Sequence, residues 1–169
     1  RGMVVLNELI NFWRVEHEQH GYQEIRSPLL NKQALYEISG HWEHFREDMF
    51  INETPDEEVY ALKPMNCPNA MIVFGSKTRS YRDLPLRLSD TDILHRFERS
   101  GTLAGLLRVR EFSQDDAHIF VSEEQIKDEY RRILEITERF YSIFGIAYRL
   151  RLGTRPEHVM GDPAVWDRA

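Results

Sequence analysis

Met3, Leu6, Leu9, Ile10 and Trp13 recur at helical spacing among polar neighbours, which predicts an amphipathic helix from Met3 to His20 with Gly21 as its stop. Tyr22 to Pro28 reads as a strand that the proline ends. Residues 31–45 read as helical or irregular. Met49–Ile51 and Val59–Leu62 read as the arms of a hairpin joined by the acidic turn Glu53–Glu57. A helix follows from about Met65 to Lys77, with Pro68 suited to its first turn. Strands are expected over Leu84–Leu88, Ile93–Glu98, Leu106–Phe112 and His118–Val121. Ser122 and Gln125 make a capping-box signature. Ile126, Tyr130, Ile133, Thr137, Phe140, Tyr141 and Phe144 then stripe one face of a long helix that Gly145 ends. Ile146, Tyr148, Leu150 and Leu152 alternate as a last strand, and Trp166–Ala169 reads as the start of another helix. Hairpins outnumber βαβ units, so the expected fold class is α+β, a mostly antiparallel sheet flanked by helices. The long-helix stripe and the Trp42/Phe45 cluster are expected in the core.

Composition narrows the function classes. A length of 169 residues fits one domain, and 41% hydrophobic with 30% charged residues suits a soluble globular fold. The net charge of -6 argues against broad nucleic-acid binding, so any polyanion site must be local. The single cysteine, Cys67, excludes an internal disulfide and fits a reducing compartment. No apolar run approaches the roughly 18 residues of a membrane span. Neither end carries a polar tail, which suggests a segment of a longer protein.

The local basic site is the run His95–Phe120, where Arg96, Arg99, Arg108 and Arg110 surround Glu98 and the loop Ser100–Gly101–Thr102. Arginine forks match phosphate and carboxylate two bonds at a time. Strand residues two apart share a face, so Arg96 with Glu98 and Arg108 with Arg110 form either an anion pocket or a cross-strand ion-pair ladder. No Walker or Rossmann glycine motif is present. Cys67 and His118 are of zinc-ligand type, but by spacing alone the signal is weak and favours a buried cysteine and a strand histidine with a structural hydrogen bond. Asp115–Asp116 reads equally as a solvated turn.

These residues together resemble a known family. Gly21–Tyr22 through Pro28 resembles motif 1 of class II aminoacyl-tRNA synthetases, and Arg96-x-Glu98 with Arg108–Val109–Arg110-x-Phe112 resembles their motif 2. Ser39–Phe45, Leu62–Pro68 and Phe112–Phe120 are similar to threonyl-tRNA synthetases in particular, and the resemblance runs nearly end to end. It implies a catalytic core with a six- or seven-stranded antiparallel sheet, present here in part, a homodimer, ATP with Mg2+, one catalytic Zn2+ and a cytoplasmic location. The implied reaction activates L-threonine as an adenylate and esterifies it to tRNA(Thr).

Carried over by position, Arg96 is the catalytic residue and clamps the α-phosphate and the threonine carboxylate. Glu98 accepts from the adenine amine, Arg108 holds the γ-phosphate and Phe112 stacks on adenine. Met65, Gln114 and Asp116 line the threonine pocket with Arg96. Cys67 and His118 match two zinc ligands. The third ligand lies outside this chain, and His158 sits too early to be it. A zinc that takes both the amine and the hydroxyl would reject valine, as an apolar pocket cannot. Glu111 stands where the family has glycine, and Phe97 and Arg99 where it has Asn and Pro. Motif 3 and the anticodon-binding domain have no counterpart in residues 1–169. The rival readings are a non-catalytic paralogue acting as a binding or regulatory module, a seryl or prolyl ligase of the same class, and a structural oligomerisation domain.

Overall fold

The computed structural model describes residues 1–155 and 162–168; His158 lies outside them. The chain divides into two units, Arg1–Lys127 and Asp128–Ala169.

The first unit opens with helix α1 (Gly2–Gln19), as the apolar spacing predicts, and Gly21 turns the chain at φ 75°. Strand β1 (Tyr22–Glu24) follows and is shorter than the stretch expected to reach Pro28. It pairs in parallel with β5 (Leu86–Asp90), Tyr22 facing Arg87. On its other edge β5 pairs antiparallel with β8 (Asp116–Phe120), which sets Leu88 opposite His118 and Asp90 opposite Asp116. Leu86, Leu88, Ser89 and Asp90 are all buried, so β5 is the interior strand of this sheet. A second sheet has the order β2–β4–β3, from β2 (Leu30–Lys32), β4 (Val59–Leu62) and β3 (Ile51–Glu53). The expected hairpin is its β3–β4 arm. Helix α2 (Gln33–Ile38) and the short α3 (His41–His44) lie beside it, and Tyr36, Met49 and Ala61 form its core, with Trp42 packed against them. Phe45 is 42% exposed and is not part of that core.

Helix α4 (Cys67–Gly75) starts with Pro68 in its first turn, where a missing N–H costs nothing. Phe74 near its end stacks on Phe120 of β8 at 4.1 Å, which ties the helix to the first sheet. The third sheet is the pair β6 (Ile93–His95) and β7 (Glu111–Ser113). Both are shorter than expected. Arg96 and Glu98 fall after β6, and Arg108 and Arg110 before β7, so the same-face argument from strand alternation does not apply to them. The architecture is α+β with mainly antiparallel pairing. Among the described residues it forms sheets of three, three and two strands rather than the six- or seven-stranded sheet the resemblance implied.

Helix α5 (Ile126–Ile143) begins at the Ser122/Gln125 capping box and runs into the second unit, where Gly145 at φ 61° ends it. Of its predicted apolar stripe, Ile126, Tyr130, Ile133, Tyr141 and Phe144 are exposed, and the buried Ile136 is not one of the stripe positions. The stripe is therefore largely solvent-exposed rather than core. Residues 146–152 pair with no described strand and stay exposed, because alternation alone supplies no partner for backbone hydrogen bonds. Helix α6 (Pro163–Arg168) begins slightly earlier than the sequence suggested. No helix among the described residues is long and apolar enough to cross a membrane.

His17 shows how burial shapes the first unit's response to pH. Its ring stacks on Tyr22 at 4.4 Å and lies 3.9 Å from that of Trp13. Burial, and then the charge of His20, push its pKa down from 6.5 to about 4, against a smaller opposing pull from Glu24. Between these values the unfolded chain holds the proton that the fold rejects, so this contribution is complete above about pH 6.5 and lost as the pH falls toward 4. His17→Phe keeps the aromatic stack without titrating. Between about pH 7 and about pH 5, its melting temperature should fall less than that of the parent protein, by a few degrees at most. Parallel pH profiles would remove His17 as the cause.

Candidate functional site

The residues singled out in the sequence gather in two places joined by one short segment, Lys63–Cys67. The first is a cavity of about 420 Å3 lined by Arg96, Glu98, Leu106, Leu107, Arg108, Val109 and Phe112. Leu94 and Phe112 are register partners on β6 and β7, and the Arg96 guanidinium lies over the Phe112 ring at 5.0 Å. That is cation–π distance. The Arg96 Nε also donates to the Pro64 carbonyl at 3.2 Å, and its backbone N–H donates to the Arg110 carbonyl at 3.0 Å. Glu98 is mostly buried and forms an ion pair with Arg108, whose Nε lies 3.2 Å from its carboxylate, whereas the Arg108 side chain is 56% exposed. A cavity lined by two guanidinium groups, a partly dry carboxylate and an aromatic face suits a polyanion attached to a planar, amine-bearing ring.

Arg110 does not join this cavity. It forks onto the Glu98 carbonyl, with Nε at 3.0 Å and Nη2 at 2.9 Å, and lies over the Phe97 ring at 4.9 Å. The anion-pocket and ladder readings are thus both partly right. Arg96 and Arg108 face the cavity, Glu98 and Arg108 are paired across it, and Arg110 is structural. Glu111 points away from Phe112 and takes His95, its cross-strand partner, at 2.9 Å. Glu111 is not among the residues lining the cavity beside Phe112.

The second place is a buried polar cluster. One ligand atom each of Asp90, Asp116 and His118 lies within 4.8 Å of the others. The β5–β8 register creates the cluster by setting Asp90 beside Asp116 and, one pleat on, His118. Asn66, fully buried, donates to Asp116 Oδ2 at 3.1 Å. Cys67 stands at the start of α4, half-buried. Burial first, then the charges of Asp116 and Asp90, push its thiol upward. Asn66 Oδ1, Asp90 Oδ1 and His118 Nδ1 are buried without a hydrogen-bond partner. Among the described residues the ligand atoms that come together are those of Asp90, Asp116 and His118; the predicted ligand Cys67 is not among them, and two carboxylates and an imidazole with buried, unpartnered atoms suit a divalent cation such as zinc. Met65, next in the chain, has its sulfur 3.4 Å from His41 Nε2. Gln114 is exposed between β7 and β8.

Sequence reasoning missed Asp90, Asn66, Lys63 and Asp92 in these surroundings. Asn66 and Lys63 lie inside a segment already noted, but the two aspartates carried no motif. Only the strand register reveals them.

Asp90 is 2% exposed. Burial first, then the neighbouring charges of Asp116 and Asp92, push its carboxyl up to about 7, with Lys63 opposing. The folded chain thus keeps a proton that the unfolded chain releases above 3.8, so this contribution is full below about pH 4 and lost as the pH rises to about 7. In chelator-treated protein, Asp90→Asn should raise the melting temperature by about 3 °C or more at pH ~8 and by less at pH ~5. Equal shifts at both pH values would show that the charge is not what strains the site.

Residues 50–165 match the model of the family described as tRNA synthetase class II core domain (G, H, P, S and T). The threonine–tRNA ligase of Natranaerobius thermophilus is 51% identical over 99% of this chain and 26% of its own length. That of Thermotoga maritima is 53% identical over 100% of this chain and 26% of its own length. The chain therefore spans about a quarter of the length of the curated relatives it matches. A structure described as the RNA binding domain of threonyl-tRNA synthetase from Cryptosporidium parvum Iowa II covers 96% of this chain, using 40% of its own. It matches at a TM-score of 0.89 and 40% identity. A putative threonyl-tRNA synthetase, ThrRS-1, from Aeropyrum pernix covers 80% of this chain and 30% of its own at a TM-score of 0.75 and 33% identity. With motif residues, fold and family match in agreement, this chain belongs to the class II tRNA synthetase core-domain family.

Proposed function

We propose that the protein carrying this chain activates L-threonine with ATP and esterifies it to tRNA(Thr), and that residues 1–169 form the front portion of its catalytic domain. The observation that carries this reading is the Arg96 guanidinium over Phe112 at the cavity shared with Glu98 and Arg108, in a chain about half identical to threonine–tRNA ligases. Adenine stacks on Phe112 and gives its amine hydrogen to the Glu98 carboxylate. Arg108 is more than half exposed and held by one ion pair of a kind that contributes little, so it is free to turn to the γ-phosphate. Mg2+ enters with the ATP phosphates.

In the first step the threonine carboxylate attacks the α-phosphorus. A new P–O bond forms as the bond to pyrophosphate breaks, giving threonyl-adenylate. Arg96 donates to the charge that builds on the phosphoryl oxygens and orients the carboxylate, where positioned donors help most. The acyl group then passes to a ribose hydroxyl of the tRNA with release of AMP. Met65, Gln114 and Asp116 line the threonine side, and Asp116 accepts the hydroxyl proton. Cys67 and His118 hold zinc with a ligand from outside this chain, and the metal when bound supplies a Lewis acid for the threonine amine and hydroxyl. The same reading includes a cytoplasmic homodimer formed through the segment ending at Pro28.

The test is amino-acid-dependent ATP–pyrophosphate exchange by a protein of the length of its relatives, with zinc and magnesium. Exchange is expected with threonine and not with valine. Arg96→Ala should lower kcat/KM about 10²–10³-fold. Cys67→Ala or His118→Ala should reduce bound zinc by atomic absorption and lose threonine recognition. Exchange with no amino acid would overturn the reading and favour a non-catalytic paralogue. Exchange with serine or proline in place of threonine would assign another ligase of the class.

A further inference from the structure

Lys63 follows β4 and is 1% exposed, an unusual place for an ammonium group. Its Nζ donates to Asp92 Oδ2 at 2.6 Å and to Ser27 Oγ at 2.8 Å. The same Asp92 oxygen accepts from the Ser27 backbone N–H at 2.9 Å and from its hydroxyl at 3.1 Å. The main chain of Lys63 is equally engaged. Its N–H donates to the Leu29 carbonyl at 2.9 Å, and its carbonyl accepts from the His95 N–H at 3.0 Å. The next carbonyl, that of Pro64, receives Arg96 Nε at 3.2 Å. Three stretches distant in sequence, 27–29, 63–64 and 92–96, thus meet at Lys63 and Pro64, the side chain of Lys63 taking Ser27 and Asp92 and the main chain taking the rest.

An apolar residue would fill this space without the desolvation that a buried charge incurs. What the ion pair adds is direction. Its donors and acceptors fix Asp92 against both Ser27 and Lys63, and Asp92 stands four residues before Arg96. The carbonyls of Lys63 and Pro64 then hold His95 and Arg96 from the other side. We propose that the buried Lys63–Asp92 pair, together with Ser27, is a positioning lock that fixes the Arg96 guanidinium against the nucleotide cavity. The assignment rests on the reading of that cavity given above. None of the three locking side chains is a catalytic residue.

The test is a double-mutant cycle in the same exchange assay. Lys63→Met/Asp92→Asn removes both charges together and leaves an oxygen for the Ser27 amide. It should fold, with kcat for threonine-dependent exchange reduced about tenfold or more. Arg96→Ala should then cost at least about tenfold less in this background than in the parent, because the arginine is already misplaced. Equal losses in both backgrounds would overturn the lock, since a purely structural role predicts additivity. If the double variant does not fold, Lys63→Arg, which keeps the charge and alters its geometry, carries the same cycle. A crystal structure of the folded variant separates this inference from the functional reading. Retention of the Arg96 Nε–Pro64 carbonyl contact would overturn the lock whatever the exchange rate, and its loss would support the lock even in a protein that exchanges no amino acid.

Discussion

The site is built on the Lys63–Asp92 ion pair and the segment that follows it. A lone ammonium group in this interior would be strongly unfavourable, and so would a lone carboxylate. Breaking such a buried pair by removing one partner costs about 3–5 kcal/mol, whereas replacing both with apolar groups is often neutral. Stability alone therefore does not account for the pair. Its geometry does more, because residues 63 to 67 lead from the ion pair through the Pro64 carbonyl under Arg96 to Asn66 on Asp116 and Cys67 at the start of α4. Five consecutive residues thus connect the Arg96–Phe112 cavity to the polar cluster.

Charge is distributed unevenly around that segment. Asp90, Asp92 and Asp116 are neighbours. Burial pushes the Asp92 carboxyl up, but hydrogen bonds from Lys63 and the Ser27 amide outweigh it and hold Asp92 below the usual carboxylate range. Asp90 lacks such close neutralisation and moves the other way. The one buried lysine is committed to Asp92, so the cluster at Asp90, Asp116 and His118 retains an excess of acceptors. Under the proposed function, a cation from solution would meet that excess.

Much of the fold was legible because its cues are local. The spacing of Met3 to Trp13 gave α1, the acidic turn gave the β3–β4 hairpin, Pro68 gave the start of α4, and Ser122 with Gln125 gave the start of α5. Strand lengths were overread. Apolar alternation continues where pairing stops, as at 106–110 and 146–152, and only a partner's backbone decides the end. Among the site residues, the resemblance drew attention to Arg96, Glu98, Arg108, Phe112, Cys67, Asp116 and His118. Their grouping into a cavity and a cluster depended on the pairing of β5 with β8 and of β6 with β7, contacts across long sequence separations. Asp90 and Asp92 were invisible for the same reason. An aspartate in a strand or turn says nothing until its neighbour across the sheet is known.

The four arginines that make His95–Phe120 conspicuous show why residue type does not assign role. Arg99 is 82% exposed and reaches Glu47 only at 3.8 Å, an arrangement that contributes little. Arg110 spends its fork on the Glu98 carbonyl and its face on Phe97, so it shapes the loop. Arg108 faces the cavity with its side chain more than half exposed and one ion pair to Glu98. Arg96 alone combines an aromatic platform, a fixed carbonyl partner and a place on the cavity wall. If Arg96 acts as proposed, on charge that develops at phosphorus, that restraint is the useful property, because a donor already held in place need not reorganise when the charge appears.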